Sequence, residues 1–81
     1  MKTELLKIAN DYRNQNKDTH AFMLNSGYVI VYDGSACSWR NSVRNPETEK
    51  PNAYLVGLSE DEIFIAKGGD EFNGAEIWSK L

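Results

Sequence analysis

Tyr28-Val29-Ile30-Val31-Tyr32 is the stretch that decides the fold, because every residue in it is β-branched or aromatic. Asn25-Ser26-Gly27 precedes this stretch and Asp33-Gly34 follows it, and both segments are turn signals. A strand without polar alternation needs cover on both of its faces. We therefore predict a strand over residues 28–32 in the centre of a sheet, with a tight turn at each end.

The segments next to these turns predict further strands. Residues 21–24 form a short apolar run, and we expect them to pair with residues 28–32 as a β-hairpin. After Asp33-Gly34 the chain can return as a third strand over residues 35–38. These pairings agree with a central position for residues 28–32.

A second hairpin is predicted further along the chain. Residues 53–58 and 62–66 have the composition of strands, and the acidic turn Ser59-Glu60-Asp61 joins them. Residues 45–52 contain both prolines and are expected to form a polar loop. The tail, residues 67–81, fits either a helical turn that packs Trp78 on the sheet or a final strand.

The amino-terminal segment predicts a helix over residues 3–16, because Leu5, Ile8 and Tyr12 recur at the spacing that gives a helix one apolar side. The predicted fold class is α+β, a single small domain over residues 1–81. In it the N-terminal helix packs on a mostly antiparallel sheet of four or five strands. The expected core residues are Leu5, Ile8, Tyr12, Phe22, Leu24, Val29, Val31, Leu55, Ile63, Ile65 and Trp78.

Length and composition restrict the class of protein. A chain of 81 residues builds one thin core. Its 41% hydrophobic and 26% charged residues are ordinary globular usage, which argues against disorder. No apolar run approaches a membrane span, and Lys2, Glu4 and Lys7 interrupt the start where a signal peptide would be apolar. We expect a cytoplasmic protein without a membrane segment.

The residues that usually carry catalysis or bind metals are scarce. Cys37 is the only cysteine and His20 the only histidine, so neither an internal disulfide nor a thiolate metal cluster can form. We expect Cys37 to be a partly buried small hydrophobe, with a Cys37–Cys37 dimer as the alternative. No serine or cysteine lies in a recognisable nucleophile motif. The sequence predicts no catalytic residue, no metal site and no cofactor.

Gly68-Gly69-Asp70-Glu71-Phe72 is identical over five positions to the signature of the diguanylate cyclases. In that family the motif is a hairpin turn whose acidic residues hold metal ions beside the nucleotide. The similarity covers five of the 81 residues, and polar Asn73-Gly74 follows where the family has an apolar strand. The family's second metal-binding aspartate and nucleotide-holding segment have no counterpart. We therefore predict an acidic, glycine-rich surface loop and not an active site.

The charge is unevenly distributed along the chain. Residues 59–77 carry a net charge of −5, whereas the whole chain carries −3, so the rest of the chain carries about +2. An acidic surface favours a basic partner and repels phosphate backbones. The candidate partner-binding residues in this acidic third are Glu60, Asp61, Glu62, Asp70 and Glu71.

Trp39, Arg40 and Arg44, together with Lys50, form the one basic and aromatic segment. The spacing of the first three, with Val43 four residues after Trp39, suits one helical turn. This edge is a candidate second contact for a protein partner. Alternatively, it could bind a small ligand or a nucleic acid, because guanidinium groups beside an indole hold phosphate, carboxylate or a stacked base. Too few basic residues are present for strong phosphate binding, so nucleic acid is not the expected partner.

These features predict a small acidic accessory protein that is not an enzyme and that binds an unidentified protein with a basic surface. The tail over residues 68–78 resembles short uncharacterised proteins carried by phages and plasmids. A mobile-element inhibitor that occupies a nucleic-acid-binding site is one version of this hypothesis. A binding module that uses the Trp39–Arg44 edge is the second hypothesis, and a small enzyme is the third. An uncovered sheet edge could also pair two copies as a homodimer.

Overall fold

The computed structural model describes residues 1–81, which form one helix and a five-stranded sheet. Helix α1 comprises Lys2–Gln15. The strands are β1 (Tyr28–Tyr32), β2 (Ser35–Arg40), β3 (Tyr54–Val56), β4 (Ile63–Lys67) and β5 (Ile77–Lys80). Their order in the sheet is β2-β1-β3-β4-β5, and every neighbouring pair is antiparallel. The predicted α+β class is confirmed. No helix combines the length and the apolar character that crossing a membrane requires.

Strand β1 lies inside the sheet, as its composition predicts, because it pairs with β2 on one side and β3 on the other. Successive side chains of a strand point to opposite faces. Val29 and Val31 therefore lie on one face and Ile30 on the other, and all three are almost fully buried. Both faces of β1 are covered.

The main core lies between α1 and one face of the sheet. Leu5 and Ala9 of the helix pack there with the inward side chains of three strands. Ile8 and Tyr12 are partly buried beside them. The buried strand residues of this core are Val29, Val31, Val56 and Ile63. The amphipathic spacing of the helix thus has the role that the sequence predicts.

A smaller core covers the opposite face of the sheet, where Ile30, Ala53 and Leu55 are buried against partly buried aromatic residues. The connection between β2 and β3, residues 41–53, must cross β1, because those strands lie on either side of it. It crosses on this face, because its residue Ala53 belongs to the smaller core. Two hydrogen bonds join the connection to β5 and to the residue two positions before it. Trp78 Nε1–H donates to the Arg44 carbonyl at 2.7 Å, and the Ala75 N–H donates to the Glu49 carbonyl at 2.9 Å.

Residues Ala21–Leu24 form a 3-10 helix, so the predicted pairing of this run with β1 is wrong. The run lacks β-branched residues, and short-range bonds such as Met23 N–H to the His20 carbonyl satisfy its backbone. Only Met23 points inwards. Phe22 is 54% exposed and Leu24 is 37% exposed, so their predicted place in the core is also wrong.

Trp39 and Arg40 belong to β2, so the predicted helical turn over residues 39–44 is wrong. Trp39 pairs with Val29 and Arg40 with Tyr28, and this ladder satisfies the backbone better than one isolated helical turn. The register of β2 shifts opposite Ile30 and Val31. Cys37 is the unmatched residue of this bulge, and it is exposed and not partly buried as expected.

The second hairpin and the tail complete the sheet. Strands β3 and β4 pair as predicted, and a short 3-10 turn at Glu60–Glu62 joins them. Of the two alternatives for the tail, the structure has the final strand. In β5, Trp78 pairs with Ala66 and its ring packs on the smaller core.

Candidate functional site

Residues 68–74 form the turn between β4 and β5, which we call the acidic tip. The chain reverses through two hydrogen bonds between Asp70 and Gly74, at 2.9 and 3.2 Å. Gly69 and Gly74 have φ angles of 72° and 83°, a region that side chains with a Cβ rarely adopt. Gly68, with a φ angle of 76°, lies in the same region. Both glycines of the GGDEF string therefore serve the reversal of the chain, and the string lies in an exposed loop as predicted.

Asp70 fixes the backbone of the acidic tip. Its Oδ1 accepts hydrogen bonds from the N–H groups of Phe72 at 2.9 Å and Asn73 at 2.7 Å. Its Oδ2 accepts from Asn73 Nδ2 at 3.1 Å. These bonds from Asn73 and Phe72 hold the pKa of the Asp70 carboxyl below its usual range, because they favour the ionised form. The carboxylate is thus a structural element of the turn.

Phe72 projects from this fixed turn into solvent. Its side chain is 99% exposed, whereas the other large exposed hydrophobic residues are partly covered. Glu71, which precedes it, is exposed as well. The acidic tip therefore presents an aromatic ring between Glu71 and Asn73 on a backbone that Asp70 holds in place.

The base of the acidic tip rests on the connection between β2 and β3. Gly74 is buried against the backbone of Glu47, so closely that a Cβ would overlap the Glu47 carbonyl. The Ala75 N–H bond to Glu49 lies next to this contact. The Gly69 N–H also donates to Glu76 Oε1 at 3.2 Å. These contacts support the tip at its base and leave Phe72 free.

The structure does not bring the predicted acidic residues together in one surface. Glu60, Asp61 and Glu62 precede β4, and Asp70 and Glu71 follow it. Five strand residues separate the two groups, which corresponds to roughly 16 Å at about 3.3 Å per residue. The acidic third of the sequence therefore forms two separate acidic groups.

Glu62 is only partly exposed, whereas the preceding Glu60 and Asp61 are exposed. Ser59 Oγ donates to its Oε1 at 3.4 Å. Its charge also raises the pKa of the buried Arg13, against the larger lowering by burial. Glu60 and Asp61 are exposed and are free to meet a partner.

Trp39, Arg40 and Arg44 do not form one surface either. Trp39 lies on the helix side of the sheet, where its Nε1–H donates to the Ser26 carbonyl at 3.0 Å. Arg40 lies on the opposite face and forms an ion pair with Glu49 at 3.2 Å. Arg44 is exposed in the following loop. The pleat of β2 thus separates the indole from the adjacent guanidinium.

Sequence reasoning does not single out Phe72, which is the last residue of the GGDEF string. The available signal is the position of Phe72, which follows two acidic residues and precedes Asn73-Gly74. Turn residues on both sides leave an aromatic ring few neighbours to pack against. Comparison with protein-family models, with curated proteins and with solved structures found no match for this chain.

The acidic tip should loosen at low pH. Folding lowers the pKa of Asp70 below its ordinary value of 3.8. The ionised carboxylate therefore stabilises the acidic tip fully above pH 3.8, and this stabilisation is lost as the pH falls through the pKa of the folded protein. In an NMR titration, we expect the amide resonances of Phe72 and Asn73 to shift with a midpoint below 3.8. The amide of Ser42, in the exposed loop after β2 and without an acidic residue within four positions of it in the sequence, is the control. A midpoint at or above 3.8 would contradict the hydrogen bonding of this carboxylate.

Proposed function

We propose that this protein is a non-enzymatic accessory domain that binds another protein through the acidic tip. Phe72 inserts into an apolar pocket of the partner, and Asp70 and Glu71 meet a basic rim around that pocket. One observation carries the proposal: the Phe72 ring is 99% exposed on a turn whose backbone is held by hydrogen bonds.

The energetics of such a contact support the proposal. Burying a phenylalanine side chain contributes about 1.5–3 kcal/mol. A turn that is already ordered loses little conformational entropy on binding, so more of this free energy is available for affinity. Acidic groups beside the ring favour a basic partner and accelerate the encounter. Aromatic anchors in the centre of an interface are typical binding hot spots.

The preferred partner is a protein with a basic surface. Nucleic-acid-binding proteins have such surfaces, so an inhibitor from a phage or plasmid that covers one of them is one form of this proposal. A cytoplasmic location is part of the same proposal. Glu60 and Asp61 lie at the far end of β4, where their charge can aid the approach of the partner. A second copy of this chain is the alternative partner for the acidic tip.

The test compares the wild-type protein with Phe72→Ala and with Val43→Ala, a control that truncates a 42% exposed valine in a different loop. Each protein is used to capture partners from the native host, and the affinity of any recovered complex is measured. We expect Phe72→Ala to weaken the complex by about 2 kcal/mol or more, roughly thirtyfold in Kd. Stability should change by less than about 0.5 kcal/mol, because Phe72 packs against nothing.

The possible outcomes separate the occupants of the tip. A specific complex that Phe72→Ala weakens and Val43→Ala preserves supports a foreign partner. Glu71→Lys should also weaken that complex, and its effect should be larger at low salt than at high salt. If analytical ultracentrifugation shows self-association that depends on Phe72, the partner at the acidic tip is a second copy of this chain and not a foreign protein. A recovered complex with equal affinity for wild type and Phe72→Ala would refute the proposal.

A further inference from the structure

A cleft of about 330 Å³ lies on the sheet face opposite α1, between that face and the connection from β2 to β3. Ile30 and Ala53 form its apolar floor, because both belong to the smaller core beneath it. The polar groups of its walls come from β2 on one side and from residues 48–50 on the other. This volume is at the lower end of the range of about 300–1,000 Å³ for small-molecule sites.

The charges in the cleft leave one cation without a partner. Arg40 is paired with Glu49, whose side chain is only 9% exposed, so these two charges neutralise each other. Lys50 forms no ion pair. Its Nζ lies 5.3 Å from the centroid of the Tyr32 ring, which holds the ammonium group at the cleft by a cation–π contact. The cleft therefore carries a net charge of +1.

A hydroxyl group in the cleft is also available to a ligand. Ser38 Oγ accepts a hydrogen bond from Arg40 Nη1 at 2.9 Å. This is the only hydrogen bond of Ser38 Oγ, and the oxygen accepts in it, so the Ser38 O–H remains free to donate. Together, Lys50 and Ser38 offer hydrogen-bond donors beside an apolar floor, and this combination suits an anion with an apolar body.

We propose that this cleft binds a small monocarboxylate whose apolar body is one ring or a short chain. The carboxylate accepts hydrogen bonds from the Lys50 ammonium and the Ser38 hydroxyl, and the apolar body covers Ile30 and Ala53. A doubly charged phosphate group fits less well, because Glu49 adds a buried carboxylate to the wall and only Lys50 is unpaired. This inference does not rest on the function of the acidic tip.

The experiment is an amide NMR titration of the full chain with sodium benzoate, with benzamide as the uncharged probe of nearly the same shape. We expect benzoate to give saturable shifts at Tyr32, Ser38 and Lys50 and benzamide to bind much more weakly. Lys50→Gln should weaken benzoate binding by about tenfold. Lys17→Gln, which removes a lysine from the exposed turn after α1, should leave it unchanged.

Several results would overturn this assignment. Equal binding of benzoate and benzamide would show that the carboxylate is not recognised, and equal binding to Lys50→Gln would remove the role of that lysine. Tighter binding of inorganic phosphate than of benzoate would assign the cleft to a different anion. No saturable shift at millimolar benzoate would reject a small-carboxylate site. Phe72→Ala should bind benzoate normally, so this test is independent of partner binding at the tip.

Discussion

Replacing Arg13 by alanine is expected to lower the free energy of unfolding by about 3 kcal/mol, because the substitution removes the donors to three carbonyl groups, two of them buried and one partly buried. Arg13 projects from α1 into the core and is only 2% exposed. Its Nη1–H donates to the Gly57 carbonyl at 3.2 Å. Its Nη2–H groups donate to the carbonyls of Gly27 at 2.9 Å and Val56 at 3.3 Å. One side chain thus joins the helix to two separate turns.

The charge of Arg13 makes this arrangement unusual. No carboxylate lies close enough to form an ion pair with it, and its Nε is buried without a hydrogen-bond partner. Burial lowers the pKa of Arg13, and the charge of Glu62 opposes this effect only in part. A lowered pKa means that burial of the cation itself opposes folding. The hydrogen bonds to the three carbonyls must therefore offset this desolvation.

Urea unfolding followed by tryptophan fluorescence measures the effect, and two further variants separate its causes. Arg13→Met keeps most of the apolar stem but has no donor, so a loss close to that of Arg13→Ala would assign the effect to the hydrogen bonds. Arg44→Ala, at an exposed arginine, should change stability by less than about 0.5 kcal/mol. A loss below about 1 kcal/mol in Arg13→Ala would mean that water satisfies the three carbonyls equally well.

Replacing Gly74 by alanine is expected to destabilise the protein by about 3 kcal/mol, from backbone strain together with overlap against Glu47. The φ angle of Gly74 is 83°, and an added Cβ would overlap the Glu47 carbonyl. The Glu47 carbonyl belongs to the backbone, so it cannot move aside as a flexible side chain would. We also expect the hydrogen bond between the Ala75 N–H and the Glu49 carbonyl to weaken.

Gly34 provides a matched control for this substitution. Its φ angle is 80°, but a Cβ at that position would meet nothing within 4 Å. Gly34→Ala should therefore report the backbone strain alone, about 1 kcal/mol. Chemical denaturation of the two variants gives the difference directly. Equal losses would show that the connection from β2 to β3 moves away from Gly74 without a significant free-energy penalty.

The parts of the fold that could be predicted are the segments whose own composition indicates how they are buried and where they lie in the sheet. Strand β1 has β-branched or aromatic residues on both faces, so its sequence alone requires an interior position. Trp39 is the opposite case. Its spacing to Val43 suits a helix, but pairing with Val29, ten residues earlier in the chain, determines its conformation. Phe22 was misplaced because the turn after α1 leaves only Met23 facing the core.

The candidate site could be predicted only in part for the same reason. Asp70 and Glu71 were recognised from their charge, which is a property of the sequence. The exposure of Phe72 depends on what the fold places around it, and the turn residues on both sides of it are an indirect signal that does not fix its surroundings. The separation of Glu60 and Asp61 from the acidic tip follows from β4, because a strand holds sequence neighbours far apart at its two ends.

The bulge at Cys37 protects one edge of the sheet against fibrillar aggregation. Strand β2 is one of the two outer strands, and its free side could otherwise recruit another β-segment. The bulge interrupts the regular repeat of N–H and C=O groups that such recruitment requires. Strand β5 is left as the more regular outer strand, and it is only four residues long with Lys80 exposed near its end. Neither border of the sheet is therefore a good template for uncontrolled strand addition.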